Sequence, residues 1–450
     1  MYQFIQHWRH IGWRRISSHI GWRRISSVCS YLLLSTLLCS QEHAHTEPAV
    51  AKNSLDALVE LALPQNPNLQ AARTVLDAAK GRQEQSGRLD NPSLILGYAS
   101  DRAFNAEGEL VLRVGFAQKF PLTRRLELER SAAKDAILLA EVEIADAAHH
   151  LREKVEFAAY ALTETLAEQA LHAKVLELNR TWLGFIESRI ERGEASEVDV
   201  NRLKLEIYSL EQEQQGLANR ELLRRAELKR LCGLGMGETL DFDFEFFVPE
   251  SPLDLPEMDA AILESHPEYR VDAQMLALAT KNLELAKVAR WADIEVEVYF
   301  QEERGVDAPG GLGRDRFFGV GLSIPLPLHN RSEGNVAERE AQRKRLEWQL
   351  LGTEARLRSE AATQRELVGR LHAQILNYRS EVTPTLDANI ELMKTAYAGG
   401  QISLTDLFST QAQSLHLQTK ELQLLQQLAE ALSNWQVATG LHTTCLIKSK

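Results

Sequence analysis

The chain has 450 residues, 44% of them apolar and 25% charged, a balance that packs a large core and is not that of a disordered chain. It carries 51 basic and 63 acidic side chains; without the five arginines of the first forty residues, 46 basic residues face 63 acidic ones, and a net charge of −17 argues against nucleic-acid binding. Beyond residue 40 nothing approaches the ~18 consecutive apolar residues of a transmembrane helix, so any membrane crossing falls to strands.

Residues 1–40 read as a targeting segment: Arg9, Arg14, Arg15, Arg23 and Arg24 precede the apolar run Val28 to Cys39. The basic part holds Ile11-Gly-Trp-Arg-Arg-Ile-Ser-Ser18 and repeats it as Ile20 to Ser27, with no chemistry attached. Two processing points compete: Ala49-Val50-Ala51 fits a signal-peptidase site, and Cys39 is a lipidation candidate although Leu37 and Leu38, not a small residue, precede it. Residues 41–53 read as a disordered mature N-terminus, where His43 and His45 form only a two-ligand metal fragment.

From residue 54 the hydrophobic period switches between helix and strand. Leu63-Pro-Gln-Asn-Pro67 opens an Ala-rich helical stretch, and a β-hairpin follows over 93–119, with Leu94, Leu96 and Tyr98 on one strand and Leu110, Leu112, Val114 and Phe116 on the other. Ser100 to Glu109 is its polar connector. A helix is expected over about 123–192, and ~1.5 Å per residue makes it on the order of 100 Å long. Within it His149 and His150 fall on diverging, solvated faces. Gly193 then ends the helix, and Ser196 caps the next, 196–232, with Asp199 at the third position completing a capping box. Gly233-Leu-Gly-Met-Gly237 lacks the lysine of a phosphate loop and reads as loop punctuation.

An acidic linker, Asp241 to Pro256, leads to a second unit over 257–442. Leu263-Glu-Ser-His-Pro267 opens its first helix, and a hairpin follows over 293–324. There Ile294, Val296, Val298 and Phe300 alternate with Asp293, Glu295, Glu297 and Gln301; Phe318-Gly-Val-Gly-Leu-Ser-Ile324 sets its apolar residues against Gly319, Gly321 and Ser323, and Glu302 to Asp315 is the expected connector. A helix over about 331–396 carries an apolar stripe at 367, 371, 375, 378, 382, 386, 390, 393 and 397, with Pro384 positioned to kink it. Gly400, Ser403 and Asp406 repeat the turn chemistry before a helix over 403–438, Gly440 and a tail, 443–450.

These landmarks recur at an offset of about 200–207 residues: Pro67 with Pro267, Pro121 with Pro325, Gly193 with Gly400, Asp199 with Asp406, Gly233 with Gly440. The expected fold class is mainly α with β, two copies of a long helical hairpin each paired with a β-hairpin. Nothing reads as an enzyme site, and no cofactor is implied. Cys232 and Cys445 are small buried hydrophobes rather than a disulfide or metal pair.

Over residues 54–442 the chain resembles the TolC-like outer-membrane efflux family, and Ile324-Pro-Leu-Pro-Leu-His-Asn-Arg-Ser-Glu-Gly-Asn335 looks like the strand-to-helix junction of its heavy-metal (cobalt-zinc-cadmium and copper-silver) branch. The resemblance implies a homotrimer in which each chain gives four strands to a 12-stranded barrel in outer-membrane lipid and its helices to a periplasmic tunnel. It also implies a periplasmic membrane-fusion adaptor and an inner-membrane pump of the resistance-nodulation-division type, with heavy-metal cations as cargo. The helical tip would then be the gate, with Gly193, Ser196, Asp199, Tyr397, Gly400, Ser403 and Asp406 as its candidates; the family's next acidic position is Ser409 here. Drug efflux, type I protein secretion and a soluble coiled-coil scaffold are the competing functions.

Overall fold

The computed structural model describes residues 54–449 except 105–106, 191–195, 236, 308–310 and 443–444. The targeting segment, Cys39, His43, His45, the Ala49–Ala51 site and Gly193 all lie outside the described residues. The elements in chain order are α1 Leu55–Gln65, α2 Pro67–Gln85, β1 Ser93–Ser100, β2 Leu110–Phe120, α3 Arg125–Ile190, α4 Glu197–Leu231, β3 Phe244–Phe246, α5 Ala260–Ser265, α6 Pro267–Val288, β4 Ile294–Asp307, β5 Gly311–Ser323, α7 Glu333–Asn377, a π-helical turn Tyr378–Val382, α8 Thr383–Ala398, α9 Leu404–Thr439 and β6 Ile447–Ser449.

Helix α3, 66 residues long, is the spine. It packs against α1, α2, α4, α6 and α9, and at ~1.5 Å per residue it runs about 100 Å. Two separate cores form along it. One joins Leu55, Leu58 and Ala62 of α1, Val155 to Leu162 of α3, Leu228 of α4, Ile375 of α7 and Leu428 to Trp435 of α9. The other lies toward the α3–α4 and α8–α9 turns and joins Ile186, Leu203, Ile207, Leu404 and Leu407.

The first core settles how two long helices end. A helix leaves its last four carbonyls without partners. The Asn66 side chain donates to Leu231 O at the end of α4 (2.9 Å) while its Oδ1 accepts from the Asn68 and Leu69 N–H groups that open α2. In the other half His266 occupies the matching place before Pro267, its Nε2 2.8 Å from Val437 O near the end of α9. His149 Nε2 reaches the same carbonyl at 3.1 Å. A carbonyl only accepts, so both rings carry their proton on Nε2. His149 is therefore buried, not solvated as its sequence position suggests: tertiary packing against α9 overrides the local helical wheel. Gly233 and Gly440 close these helices in left-handed conformation, at φ of 72° and 70°. A Cβ on Gly233 would come within 2.6 Å of Gln65 O, so a glycine is required there twice over.

Three expected boundaries change. The helix over 331–396 is interrupted at Tyr378–Val382, where the Thr383 N–H bonds Tyr378 O in π-helical register. Pro384 is the physical reason, because it has no N–H and its ring crowds the carbonyl four residues earlier. The 241–256 linker and the 443–450 tail are not loose connectors: β3 and β6 pair antiparallel, Phe244 opposite Ser449. Phe242, Phe244 and Leu255 of the linker are buried in the first core. The Glu302 to Asp315 connector is mostly strand, held by cross-strand charge pairs such as Glu302 with Arg316 (3.1 Å).

Burial pushes the His149 and His266 pKa values down from their ordinary position. The unfolded chain takes up these protons near the ordinary value of about 6.5 and the folded chain only at lower pH, so their contribution is intact above ~6.5 and is lost as pH falls below it. His266→Asn, which restores the residue type found at 66, should flatten the decline of melting temperature between pH 7 and 5, whereas His266→Ala should lower stability by about 1–2 kcal/mol at pH 7. Thermal denaturation across that pH range measures both.

Candidate functional site

The four long strands form one antiparallel sheet in the order β1-β2-β4-β5, which joins the two hairpins side by side and leaves β1 and β5 as open edges. The register places Leu96, Val114, Phe300 and Phe318 in one cross-strand row, with Leu94, Phe116, Val298 and Val320 in the next. All eight are solvent-exposed, Leu96 at 71% and Phe318 at 75%. An apolar face across four strands with no described residue over it marks a surface that another phase or another chain must cover. At one end the face gives way to Glu302, Arg314 and Arg316, whose guanidinium groups converge on the carboxylate. Toward the helices it ends near exposed Phe120 and Trp291. From Leu112 to Phe120 is about 27 Å at ~3.4 Å per residue, enough for a tilted strand to cross a bilayer core.

The opposite face is mixed but richer in polar residues and glycine: Gly97, Arg113, Gly115 and Lys119 on the first hairpin and Glu295, Glu297, Tyr299, Gln301, Glu303, Asp315, Gly319 and Gly321 on the second, with Ile95, Val111 and Phe317 as its larger apolar members. One side of the sheet is thus apolar and the other mainly polar with glycine.

At the far end of the helices the expected tip residues come together, with Gly193 outside the described set. Gly400 takes φ 72° and closes α8 with two reversed bonds, Gln401 N–H to Ala396 O (2.9 Å) and Gly400 N–H to Tyr397 O (3.0 Å). Ser403 then caps α9 in a reciprocal box: its Oγ accepts from the Asp406 N–H at 3.2 Å, and Asp406 Oδ2 accepts from the Ser403 N–H and, at 2.6 Å, from the Ser403 hydroxyl. These bonds hold the Asp406 carboxyl below its usual range. In the other hairpin Ser196 accepts from the Val198 N–H (3.1 Å) rather than from Asp199, so the box expected there does not form; the Asp199 N–H instead donates to Ser196 O.

The two hairpin ends also touch. Arg202 Nη1 donates to Thr405 Oγ1 (2.5 Å), and Trp182 meets Tyr397 edge-on with ring centroids 5.4 Å apart. Desolvation and then the Asp199 charge raise the Tyr397 pKa. Sequence reasoning missed Trp182, Arg202 and Thr405, whose only signal is tertiary contact. Among the described residues no group of three His, Cys, Asp or Glu side chains is placed to hold a metal ion, and no helix is long and apolar enough to cross a membrane.

The chain has the fold of solved TolC-like outer-membrane channels. It superposes on the outer-membrane channel CmeC of Campylobacter jejuni with a TM-score of 0.70 at 14% identity, covering 86% of this chain and 85% of that one. Against CusC, whose structures concern folding and transmembrane channel formation, the TM-score is 0.71 at 16% identity, over 86% and 91% of the two chains. Against the outer-membrane protein VceC of Vibrio cholerae it is 0.67 at 20% identity, over 86% and 96%. No family model and no curated protein matches the sequence.

Two adjacent glycines test the tip. Gly400 needs its left-handed φ, while Gly399 sits at φ −78° in ordinary helical space. Gly400→Ala should cost about 1 kcal/mol and speed amide exchange over residues 396–403, whereas Gly399→Ala should leave exchange unchanged or slowed. Hydrogen-exchange mass spectrometry of that segment reads the difference.

Proposed function

We propose that this chain is one subunit of an outer-membrane exit duct in a tripartite efflux system. Three copies close their four-stranded sheets into a barrel in the outer membrane, and their helices continue as a tunnel into the periplasm. The observation that carries this reading is the uncovered apolar face of a sheet with two open edges. Strand edges cannot stand unpaired in lipid, and four strands are too few to close on themselves, so copies must supply the missing neighbours.

The tip around Tyr397, Gly400, Ser403 and Asp406, with Ser196 and Asp199 beside it, is the periplasmic mouth, where an adaptor and an inner-membrane pump dock. Gly193, outside the described residues, belongs to the same turn by sequence. The Arg202–Thr405 and Trp182–Tyr397 contacts tie the two hairpins together there, which suits a closed resting state. The cargo reading is heavy-metal cations, supported by the resemblance of the 324–335 junction. The protein is a passive conduit rather than an enzyme, and the pump selects what passes.

Purified protein added to planar bilayers should give discrete single-channel steps, and Asp406→Asn should weaken their block by divalent cations applied from the tip side. Absence of steps would remove the duct reading; unchanged block would place the acidic ring elsewhere. Deletion of the gene should sensitise cells to zinc, cobalt, cadmium, copper or silver, and sensitivity confined to dyes and antibiotics would overturn the metal assignment.

A further inference from the structure

One cross-strand row on the polar face of the sheet is built unlike its neighbours. Tyr299 of β4 stands between Gly115 of β2 and Gly319 of β5. Its ring lies over Gly319, where a Cβ would sit 2.4 Å from the ring Cζ and 2.6 Å from the hydroxyl oxygen. A Cβ on Gly115 would come within 2.8 Å of Tyr299 Cβ and 2.9 Å of Val298 O. Neither position needs glycine for its backbone angles; both need it for room. Arg113 stacks on the same ring, its Cζ 3.8 Å from the centroid, and its Nη2 donates to Glu297 Oε1 at 2.7 Å. Glu297 lies beside Gly321, with Oε2 3.4 Å from the place of a Cβ. The glycines thus form a floor on which a phenol ring and a carboxylate lie, pinned by one guanidinium.

We propose that Tyr299, Arg113 and Glu297 set the bore and the charge of the outer end of the channel. This rests on the reading of the sheet as a barrel wall with this face inward. The floor at Gly319 keeps Tyr299 against the wall; filled by a side chain, it would turn one ring per subunit into the lumen. Other charges on this face are Glu295, Glu303 and Asp315 against Lys119. By pairing with Glu297, Arg113 neutralises that carboxylate, so this level of an otherwise acidic wall is charge-compensated and resists binding cations in transit.

The test reads the lumen from outside intact cells. Lys119→Cys places a thiol on the same face, six residues and about 20 Å along β2 from Arg113 toward the helices. The native Cys232 and Cys445 thiols are pushed up to about 11 by burial, and protein without Lys119→Cys gives their background. Small cationic, small anionic and bulky thiosulfonate reagents are applied. Gly319→Val should slow bulky-reagent labelling several-fold and Gly319→Val with Tyr299→Ala should restore it. Arg113→Gln, which leaves the floor intact, should raise the cation-to-anion rate ratio about threefold, and Glu297→Gln should lower it. Unchanged bulky labelling in Gly319→Val, no rescue by Tyr299→Ala, or an unmoved charge ratio overturns the assignment while leaving the channel in place. If even small reagents fail to reach the thiol at 119, this face is not a lumen and the barrel reading falls with it.

Discussion

The structure turns on an apolar sheet face that none of the described residues covers. Leu96, Val114, Phe300 and Phe318 stand in one exposed row, and β1 and β5 are the edges of the sheet. In water such a sheet would aggregate edge to edge and face to face. The rest of the architecture fits a sheet destined for a different solvent: polar and glycine residues on the reverse side, charged pairs at one rim, aromatic residues at the other, and all other strand-to-helix traffic at a single end.

The second requirement is to anchor helices far longer than a compact core can hold. Asn66 bonds the end of α4 and the start of α2 at once, and His266 with His149 holds the end of α9. Buried Glu156 adds a tie between α3 and α9 through the Ser433 hydroxyl (2.8 Å), and burial raises its pKa. These polar ties sit inside the larger core and fix the axial register of the hairpins. Below it, toward the tip, packing rests on the smaller cluster around Ile186, Leu203 and Leu407. The α7–α8 arm carries its π-turn between these two levels. Tyr378, at that turn, donates its hydroxyl to Leu417 O at 2.7 Å and so keeps α8 tied to α9.

Much of this was legible in the sequence because the signals are local and periodic. Alternation at 94–98, 110–116 and 294–300 identified strands, and Gly400 with Ser403 and Asp406 identified a helix stop and restart. What was not legible depends on distant partners. The sequence does not tell that β2 pairs with β4 rather than remaining in a separate hairpin, nor that residues 244–246 wait for the tail two hundred residues later. His149 looked like a surface residue because α9, which covers it, lies almost three hundred positions away. The Gly115 and Gly319 floor was visible only as glycine in a strand, and its reason appears once Tyr299 is seen across it. At the tip, Asp199 and Asp406 each stand three residues after a serine that caps their helix, yet of the two only Asp406 closes a capping box, so the same spacing does not fix the local bond.

If the exposed face meets lipid in an assembly of this chain, location and stoichiometry must agree. Both can be read by separating inner and outer membranes by density and weighing the purified particle in detergent by native mass spectrometry. Recovery in the outer-membrane fraction as a particle of three chains is the expected result; a monomer in the soluble periplasmic fraction would mean that this face does not meet lipid.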